Sequence, residues 1–237
     1  MTVVVPTYNE RGNVVEVRKR LEKVAGTLGG DMSVLFVDDG SPDGTAGEVE
    51  AMMRNDPNVS LLERGAKKGL GTAYLDGFGY ALQNLAPDII VMMDADLQHP
   101  PEIVGSLIDT VAKGAEVAIA SRRVEGGSSR GLNGWRKVVS AGAASLARVI
   151  LGLRVRDVTT GFRALRKSAV EVLIEHPPKS AGFVFQVEML YILERRGCKI
   201  VEIPFVFEER TYGASKMGMS EIWGFFSGVL AIRFRKY

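Results

Sequence analysis

Cysteine and histidine are scarce in this sequence. Its 237 residues include one cysteine, Cys198, and two histidines, His99 and His176. A single cysteine excludes an internal disulfide framework, and with so few thiol and imidazole groups a zinc site is not expected. This usage is typical of a protein that folds in a reducing compartment.

Long apolar runs are also missing, and neither sign of charge dominates. The longest stretches free of charged side chains, such as residues 222–232, contain 11 residues, whereas a helix needs about 18 to 20 apolar residues to span a bilayer. The amino terminus has no basic region followed by a long apolar core, so we expect no signal peptide. Thirty basic and 28 acidic residues leave a formal charge of +2, which gives no reason to expect nucleic-acid binding.

Short apolar segments alternate with amphipathic ones through the first half of the chain. This alternation predicts an α/β fold with a mostly parallel sheet flanked by helices. The spacing of apolar residues and the capping patterns predict helices that begin near Asn13, at Thr45 and after Gly71, and another around 103–111. The predicted strands are 3–5, 34–37, 61–62, 89–93 and 117–120.

The pattern changes after Ser121. Residues 122–137 contain five basic residues and four glycines, which predicts a mobile basic loop. A helix rich in alanine and valine is expected at 138–151. Helices at 167–175 and 183–196 and an extended segment at 200–207 complete the prediction.

The most informative stretch is I-I-V-M-M-D-A-D-L-Q-H-P-P, residues 89–101. Its apolar run ends at Asp94, which places a carboxylate at the carboxyl end of a buried strand, where ligands bind in open α/β sheets. Side chains alternate along an extended chain, so Asp94, Asp96 and, if the extension persists, Gln98 project to one side and offer oxygen ligands to a divalent cation. A D-x-D pattern is common by chance, and the same carboxylates could belong to a solvated loop that caps the next helix.

Polar residues also follow the first two predicted strands, as P-T-Y-N-E at 6–10 and D-D-G-S at 38–41. Parallel strands bring these ends to one edge of the sheet, where a nucleotide fits. Tyr8 could lie against a base, Asp39 could accept hydrogen bonds from base or ribose, and a metal at Asp94 and Asp96 could bridge a diphosphate. Each segment taken alone could equally form a turn or cap a helix.

Six motifs in this order resemble the dolichol-phosphate mannosyltransferases, which are inverting glycosyltransferases of the GT-A, Rossmann-like fold. The motifs are V-V-V-P-T-Y-N-E, V-D-D-G-S-P-D, M-D-A-D-L-Q-H-P-P, S-R, T-G-F-R-A and R-x-x-G-x-S-K, and they extend to about Lys216. The resemblance implies a GT-A catalytic domain at 1–216, with a basic acceptor loop at 122–137 and an interfacial helix at 138–151. Residues 217–237 would form a separate amphipathic segment.

The resemblance also implies roles for individual residues. The catalytic residues would be Asp96, Arg122 and Lys216. The acceptor phosphate would bind Arg122, Arg136 and Ser140, and the metal, Mg²⁺ or Mn²⁺, would bind Asp94, Asp96 and Gln98. The sugar-nucleotide donor would contact Pro6, Tyr8, Glu10, Val37, Asp39, Asp94, Ala95, Asp96, Arg210 and Lys216.

The implied reaction transfers mannose from GDP-mannose to dolichyl phosphate or another polyprenyl phosphate, with inversion. A phosphate monoester is already largely an oxyanion at pH 7, so this acceptor needs no dedicated general base. The residues leave two alternatives open: the same chemistry with UDP-glucose, and a catalytically silent subunit that binds nucleotide or lipid. The intact acidic cluster and the retained Arg210 and Lys216 argue against the silent subunit.

A polyprenyl acceptor implies a place at the cytoplasmic face of a membrane. The segment 222–237 combines aromatic and aliphatic residues with a basic end, as an interfacial helix does. The same apolar residues could instead pack on the domain or begin a longer membrane helix. A small membrane-anchoring subunit is a further expected partner for a chain without a spanning segment.

Overall fold

The structure is a computed structural model that describes residues 1–130, 134–208 and 219–237. Within these ranges it describes every side chain except those of residues 134–140, 208 and 219–222. Among the described residues, seven strands form one sheet: β1 (Thr2–Thr7), β2 (Ser33–Asp38), β3 (Val59–Glu63), β4 (Ile89–Met92), β5 (Val117–Ser121), β7 (Arg163–Arg166) and β8 (Ile200–Pro204). A separate parallel pair joins β6 (Ser128–Arg130) to β9 (Val206–Glu208).

Helices cover both faces of the large sheet. They are α1 (Arg11–Leu28), α2 (Thr45–Met53), α3 (Leu70–Asn84), α4 (Ile103–Ala112), α5 (Gly134–Leu151), α6 (Lys167–Glu175), α7 (Gly182–Arg195) and α8 (Met219–Phe234). The predicted α/β class with a mostly parallel sheet is confirmed. Helix α1 begins at Arg11, two residues before the predicted start, and the backbone carbonyl of Glu10 accepts the N–H groups of Asn13 and Val14 at 2.8 and 3.2 Å.

The strand order β3-β2-β1-β4-β7-β5-β8 determines where a ligand can bind. The chain winds from β1 outward through β2 to β3 and then crosses back to place β4 on the other side of β1. The strand order therefore reverses between β1 and β4, and the loops after their carboxyl ends diverge around a crevice. The segments after β1, β2 and β4 all lie at this edge of the sheet, as the sequence predicted.

The apolar residues of each strand alternate between two cores. Val4, Leu35 and Ile90 belong to the core beneath α3, α6 and α7, whereas Val3, Val34 and Val91 belong to the core beneath α1 and α4. This alternation follows from the two-residue period of extended chain. Both faces of the sheet are buried, so the strands are continuous apolar runs and the strand ends are left for polar chemistry.

The sequence prediction missed β7, the strand between β4 and β5. It runs antiparallel to both neighbours and reads R-A-L-R, with Arg163 fully buried. These four residues begin and end with arginine and show neither an apolar run nor a strict alternation. The local sequence therefore gives no strand signal. Its pairing with two central strands compensates for this weak propensity.

The expectation of a mobile basic loop at 122–137 is wrong in two places. Residues 128–130 pair with β9, and α5 begins at Gly134, four residues before the predicted helix start. The turn that leads into β6 depends on Gly127, because a Cβ there would lie 2.4 Å from the carbonyl oxygen of Ser121. The loop is therefore tied back onto the end of β5.

The carboxyl-terminal helix α8 shares the core of the rest of the chain. Val229 and Ile232 are fully buried, and α8 packs against α5 and α7. Beyond the helix, Arg235 donates a hydrogen bond at 2.7 Å to the fully buried carboxylate of Glu188 on α7. Within the described ranges, no helix is long and apolar enough to cross a membrane.

Candidate active site

The acidic segment after β4 does not stay extended. The strand ends at Met92, the chain turns at Ala95 and Asp96, and Leu97 adopts a left-handed backbone conformation with φ of 62°. The backbone N–H of Gln98 donates to the Asp96 Oδ1 atom at 3.0 Å and closes the turn. The extension on which the placement of Gln98 depended does not persist, and a side-chain-closed turn presents these residues instead.

Two neighbours hold Asp94 in place. The hydroxyl of Tyr74, on α3, donates to Asp94 Oδ1 at 3.0 Å, and the backbone N–H of Asp94 donates to His99 Nδ1 at 3.0 Å. Burial, with the nearby Asp94 charge, raises the pKa of Tyr74 well above 10, so this hydroxyl stays protonated.

His99 is neutral in this arrangement. Its Nδ1 atom lies 3.7 Å from Asp94 Oδ2, but the contact is not an ion pair, because Nδ1 accepts the Asp94 N–H and so carries no proton. Burial lowers the pKa of His99, and the ring stacks on Phe162 with centroids 4.8 Å apart. The Asp94 carboxylate keeps 37% of its side-chain surface exposed.

The two aspartates after β2 have different surroundings. Asp38 is fully enclosed by hydrogen bonds from Thr7 and Ser41, including 2.8 Å contacts from the Thr7 hydroxyl and the Ser41 N–H. These bonds tie the ends of β1 and β2 together. Asp38 is therefore a structural residue of the turn, whereas Asp39, the next carboxylate, is buried and paired with an arginine.

Asp39 is held by Arg64, the first residue after β3. The Arg64 Nη1 atom donates to Asp39 Oδ1, and the arginine side chain is only 2% exposed. Two residues of α3 hold the other guanidinium nitrogens: Asp76 accepts from Nε at 2.8 Å and Thr72 accepts from Nη2 at 2.7 Å. Three partners thus fix the orientation of the arginine and, through it, of Asp39.

The segment after β1 lies beside this pair. Tyr8 is 38% exposed, and the Lys67 ammonium group stands 3.9 Å from the centre of its ring. The following residue, Asn9, has a left-handed φ of 60°, and its N–H donates to the Ser41 hydroxyl at 3.0 Å. Tyr8 therefore presents an aromatic face with a cation on it, beside the ends of β1 and β2.

Arg122, at the end of β5, is paired with a carboxylate that the sequence prediction overlooked. Its Nε and Nη2 atoms donate to the two oxygens of Asp157 at 2.9 and 3.0 Å, and its backbone N–H donates to Oδ2 at 3.1 Å. Asp157 is fully buried. Burial alone would raise the pKa of its carboxyl group, but the hydrogen bonds and charge of Arg122 lower that pKa to about 2.

Two further carboxylates hold the loop that carries Asp157. Glu194 of α7 accepts the backbone N–H groups of Arg154 and Val155, and Glu202 of β8 accepts those of Arg156 and Asp157. The loop is therefore held at four consecutive backbone groups. This arrangement presents Asp157 to Arg122 in a single orientation.

A second buried cation lies behind the site. Arg163 of β7 is fully buried and donates from Nη1 to the backbone carbonyl of Gln186 at 3.1 Å. Burial lowers the pKa of Arg163 to about 9, and the charge of Asp157 acts in the opposite direction. Its charge therefore adds to the positive potential behind Asp94 and Asp157.

Comparison with known proteins identifies the family to which this chain belongs. Residues 2–174 match the sequence profile of glycosyl transferase family 2. The chain belongs to glycosyl transferase family 2. It is therefore a glycosyltransferase, and the resemblance drawn from the motifs is confirmed.

Three relatives in this family carry related names. The polyprenol monophosphomannose synthase of Mycolicibacterium smegmatis is 38% identical, over 93% of this chain and 82% of its own length. The undecaprenyl-phosphate mannosyltransferase of Micrococcus luteus is 38% identical, over 90% of this chain and 86% of its own. The dolichol-phosphate mannosyltransferase of Pyrococcus furiosus is 37% identical over 92% of this chain, which spans 59% of that relative.

Solved structures of glucosyl-3-phosphoglycerate synthase from Mycobacterium tuberculosis share the fold. The complex with Mn²⁺, UDP and phosphoglyceric acid superimposes with a TM-score of 0.72 and 18% identity over all of this chain and 79% of that one. The complex with Mg²⁺ and UDP gives a TM-score of 0.70, also at 18% identity. At this identity the likeness establishes the GT-A-like fold alone.

The structure brings most of the predicted site residues of this family 2 enzyme to one edge of the sheet. Val37 and Ala95 are buried, and each belongs to one of the two apolar cores. Pro6 and Glu10 flank Tyr8, and the Glu10 backbone N–H donates to the Thr45 hydroxyl at 3.0 Å. Four predicted residues lie outside the described residues or side chains: Arg136, Ser140, Arg210 and Lys216.

Sequence reasoning missed the residues that orient the predicted ones. Arg64 had a signal, because it directly follows β3 as Asp39 directly follows β2. Asp157 had a weaker one, because it precedes the T-G-F-R-A motif that contributed to the family resemblance. Tyr74 had none, since it occupies a core position of an amphipathic helix and looks like any buried aromatic residue.

Proposed function

We propose that this enzyme transfers mannose from GDP-mannose to a polyprenyl phosphate with inversion at the anomeric carbon. The observation that carries the proposal is its 38% identity, over about nine tenths of the chain, to relatives named polyprenol monophosphomannose synthase and undecaprenyl-phosphate mannosyltransferase. The crevice supports it, because Tyr8, Asp39 and Asp94 lie at neighbouring strand ends and suit the base, ribose and diphosphate of a nucleotide.

The acidic segment fits a hard divalent cation, Mg²⁺ or Mn²⁺. Asp94, Asp96 and Gln98 offer only oxygen ligands, and the Asp94 carboxylate is partly exposed toward the crevice. The described residues contain no group of three or more acidic, histidine or cysteine side chains that could enclose a metal. Such a two-carboxylate site suits a cation that keeps water and diphosphate oxygens as its other ligands, and the bound cation would neutralise charge on the departing diphosphate.

The main task of this chain in the reaction is to position two phosphorylated substrates. An oxygen of the acceptor phosphate attacks the anomeric carbon, the bond from that carbon to the nucleoside diphosphate breaks, and the electron pair leaves with the diphosphate. Because the attacking oxygen is already anionic at pH 7, no side chain has to remove a proton. Direct displacement from the opposite face inverts the centre.

Arg122 is the described cation that fits the acceptor phosphate. Asp157 binds its Nε and Nη2 atoms, so the Nη1 side of the guanidinium fork is the part that can face a phosphate. Asp157 thereby orients the fork. We assign Arg136 and Ser140 to the same phosphate and Arg210 and Lys216 to the donor on the family motifs.

A transfer assay tests the function directly. Purified protein with a short-chain polyprenyl phosphate and Mn²⁺ should transfer sugar from labelled GDP-mannose at least tenfold faster than from UDP-glucose, GDP-glucose or UDP-mannose. A preference for UDP-glucose would replace the donor assignment. Absence of transfer from every donor, with nucleotide still bound, would favour the silent subunit.

The exposed face of α8 supports a membrane-bound acceptor. Trp223, Leu230 and Phe234 are 70%, 49% and 83% exposed, and their spacing of seven and four residues places them on one stripe opposite the buried Val229 and Ile232. Arg233 and Lys236 are exposed beside this stripe. An apolar stripe next to cations suits the interface of an anionic bilayer.

We therefore expect replacement of Trp223, Leu230 and Phe234 together by serine to weaken binding to anionic vesicles at least about tenfold, because each exposed apolar side chain contributes roughly 1 kcal/mol or more on burial in lipid. Vesicle flotation at low salt measures this. Deleting residues 222–237 is a poorer test, since it also removes the buried Val229 and Ile232.

The matched control changes three exposed apolar residues elsewhere, Val15, Met53 and Ile174, to serine. This control should bind vesicles like the wild-type protein. Equal losses in both triple variants, or no vesicle binding by the wild-type protein, would contradict the proposal. Recruitment would then require a separate membrane protein.

A further inference from the structure

Tyr74 is a buried polar residue that the reaction scheme does not yet use. It lies on α3 with no exposed surface, and its hydroxyl donates to Asp94 Oδ1 at 3.0 Å. Asp94 Oδ2 has no such contact with Tyr74 and lies on the side of His99. The tyrosine thus holds one particular oxygen of a carboxylate that is otherwise partly exposed.

The ring of Tyr74 has little freedom to move. It stacks on Phe185 of α7 with an interplanar angle of 3° and centroids 6.5 Å apart, and it also contacts Phe78 one turn along α3. The start of α3 is pressed onto the same Phe185, because a Cβ at Gly71 would lie 2.6 Å from that ring. The hydroxyl is therefore aimed at Asp94 by packing between two helices.

The same helix also holds the other crevice carboxylate. Thr72 and Asp76 bind the guanidinium group of Arg64, which in turn binds Asp39. Within five residues, α3 therefore fixes Asp39 through an arginine and Asp94 through a tyrosine. The two contacts are chemically separate, so each can be removed without the other.

We infer that Tyr74 is a positioning residue for the binding of the cation and the diphosphate. Its hydroxyl fixes Asp94 Oδ1 and leaves Asp94 Oδ2 for the ligand. This inference rests on the proposed metal site at Asp94 and Asp96. Hydrogen-bond partners of metal ligands typically contribute tenfold to a hundredfold to metal affinity. A tyrosine that served only the core would contribute to stability and not to metal affinity.

The test compares Tyr74→Phe with Tyr80→Phe. Both changes remove one hydroxyl from α3, and Tyr80 is a partly buried residue that packs on the core outside the crevice. The readouts are the dissociation constant of Mn²⁺ in the presence of saturating GDP, measured by electron paramagnetic resonance, and GDP binding without metal, measured by calorimetry. The thermal unfolding of each variant shows whether it keeps the wild-type fold.

Tyr74→Phe should raise the Mn²⁺ dissociation constant at least about tenfold, while GDP binding without metal stays within twofold of the wild-type value. Tyr80→Phe should change neither. In the Asp94→Asn background the effect of Tyr74→Phe should fall below about threefold, because the carboxylate that the hydroxyl orients is gone.

Four results would overturn the inference. Equal Mn²⁺ affinity in Tyr74→Phe and Tyr80→Phe would show that the hydroxyl does not act on the metal site. Parallel losses of metal-dependent and metal-free GDP binding, or a Tyr74→Phe variant that does not fold, would show that it serves the core of α3. If the wild-type protein binds no Mn²⁺ with either GDP or UDP, the metal site fails first and this inference fails with it.

Discussion

Replacing Asp96 with alanine is expected to reduce sugar transfer at least about a thousandfold while the protein keeps its fold. Asp96 lies in the turn after β4 and is partly exposed, so it contributes little to the core. Its proposed task is to bind the cation that accompanies the donor diphosphate. Loss of that ligand removes stabilisation of the leaving group. This stabilisation is what the reaction needs most.

Initial rates with GDP-mannose and a short polyprenyl phosphate, measured beside the unfolding temperature, test this expectation. Asp109→Ala is the matched control, because Asp109 is an exposed carboxylate on α4 that pairs with Lys113, four residues away. The control should retain full activity. An Asp96→Ala enzyme that transfers sugar at nearly the wild-type rate and still requires metal would refute the metal assignment.

The second large effect is expected at Asp157, a fully buried carboxylate whose neutralisation should reduce the stability of the fold. In Asp157→Asn the Arg122 guanidinium loses the buried carboxylate that balances its charge. Removing one partner of a buried ion pair typically costs about 3 to 5 kcal/mol, and Arg122 is 17% exposed, so we expect a loss of about 2 to 4 kcal/mol in the free energy of unfolding. The apparent KM for the polyprenyl phosphate should rise together with this loss, because Asp157 orients Arg122.

The pH dependence of the effect identifies its cause. The pKa of the Asp157 carboxyl group lies at about 2 in the folded protein against a reference value of 3.8. A lowered pKa means that the carboxylate stabilises the fold fully above the unfolded value, and that this contribution disappears as the pH falls from about 4 toward 2. The difference in stability between the wild-type protein and Asp157→Asn should therefore be largest at pH 7 and narrow below pH 4.

Urea unfolding at several pH values measures this difference. Asp109→Asn again serves as the control, since an exposed pair such as Asp109 and Lys113 contributes at most about 1 kcal/mol. A stability difference for Asp157→Asn that does not change with pH would indicate a packing defect and not the loss of a charge pair.

Sequence patterns predicted the frame of this fold because they depend on local chemistry. Continuous apolar runs such as 3–5 and 34–37 predict strands buried on both faces, and the helices between them carry apolar residues at helical spacing. Strand β7 escaped prediction, because R-A-L-R becomes a strand only through pairing on both sides. The paired segment 128–130 escaped for the same reason.

The sequence by itself determined which groups could do chemistry here: carboxylates and a tyrosine at the ends of parallel strands, in motifs that identify the family. Their types and spacing follow from residue identity and strand period, which are local properties. Only the tertiary structure decided how those groups are held. Arg64 reaches Asp39 across 25 residues, Tyr74 reaches Asp94 across 20, and Asp157 reaches Arg122 across 35. Such partners depend on how helices and loops pack around the sheet, and no local pattern encodes that packing.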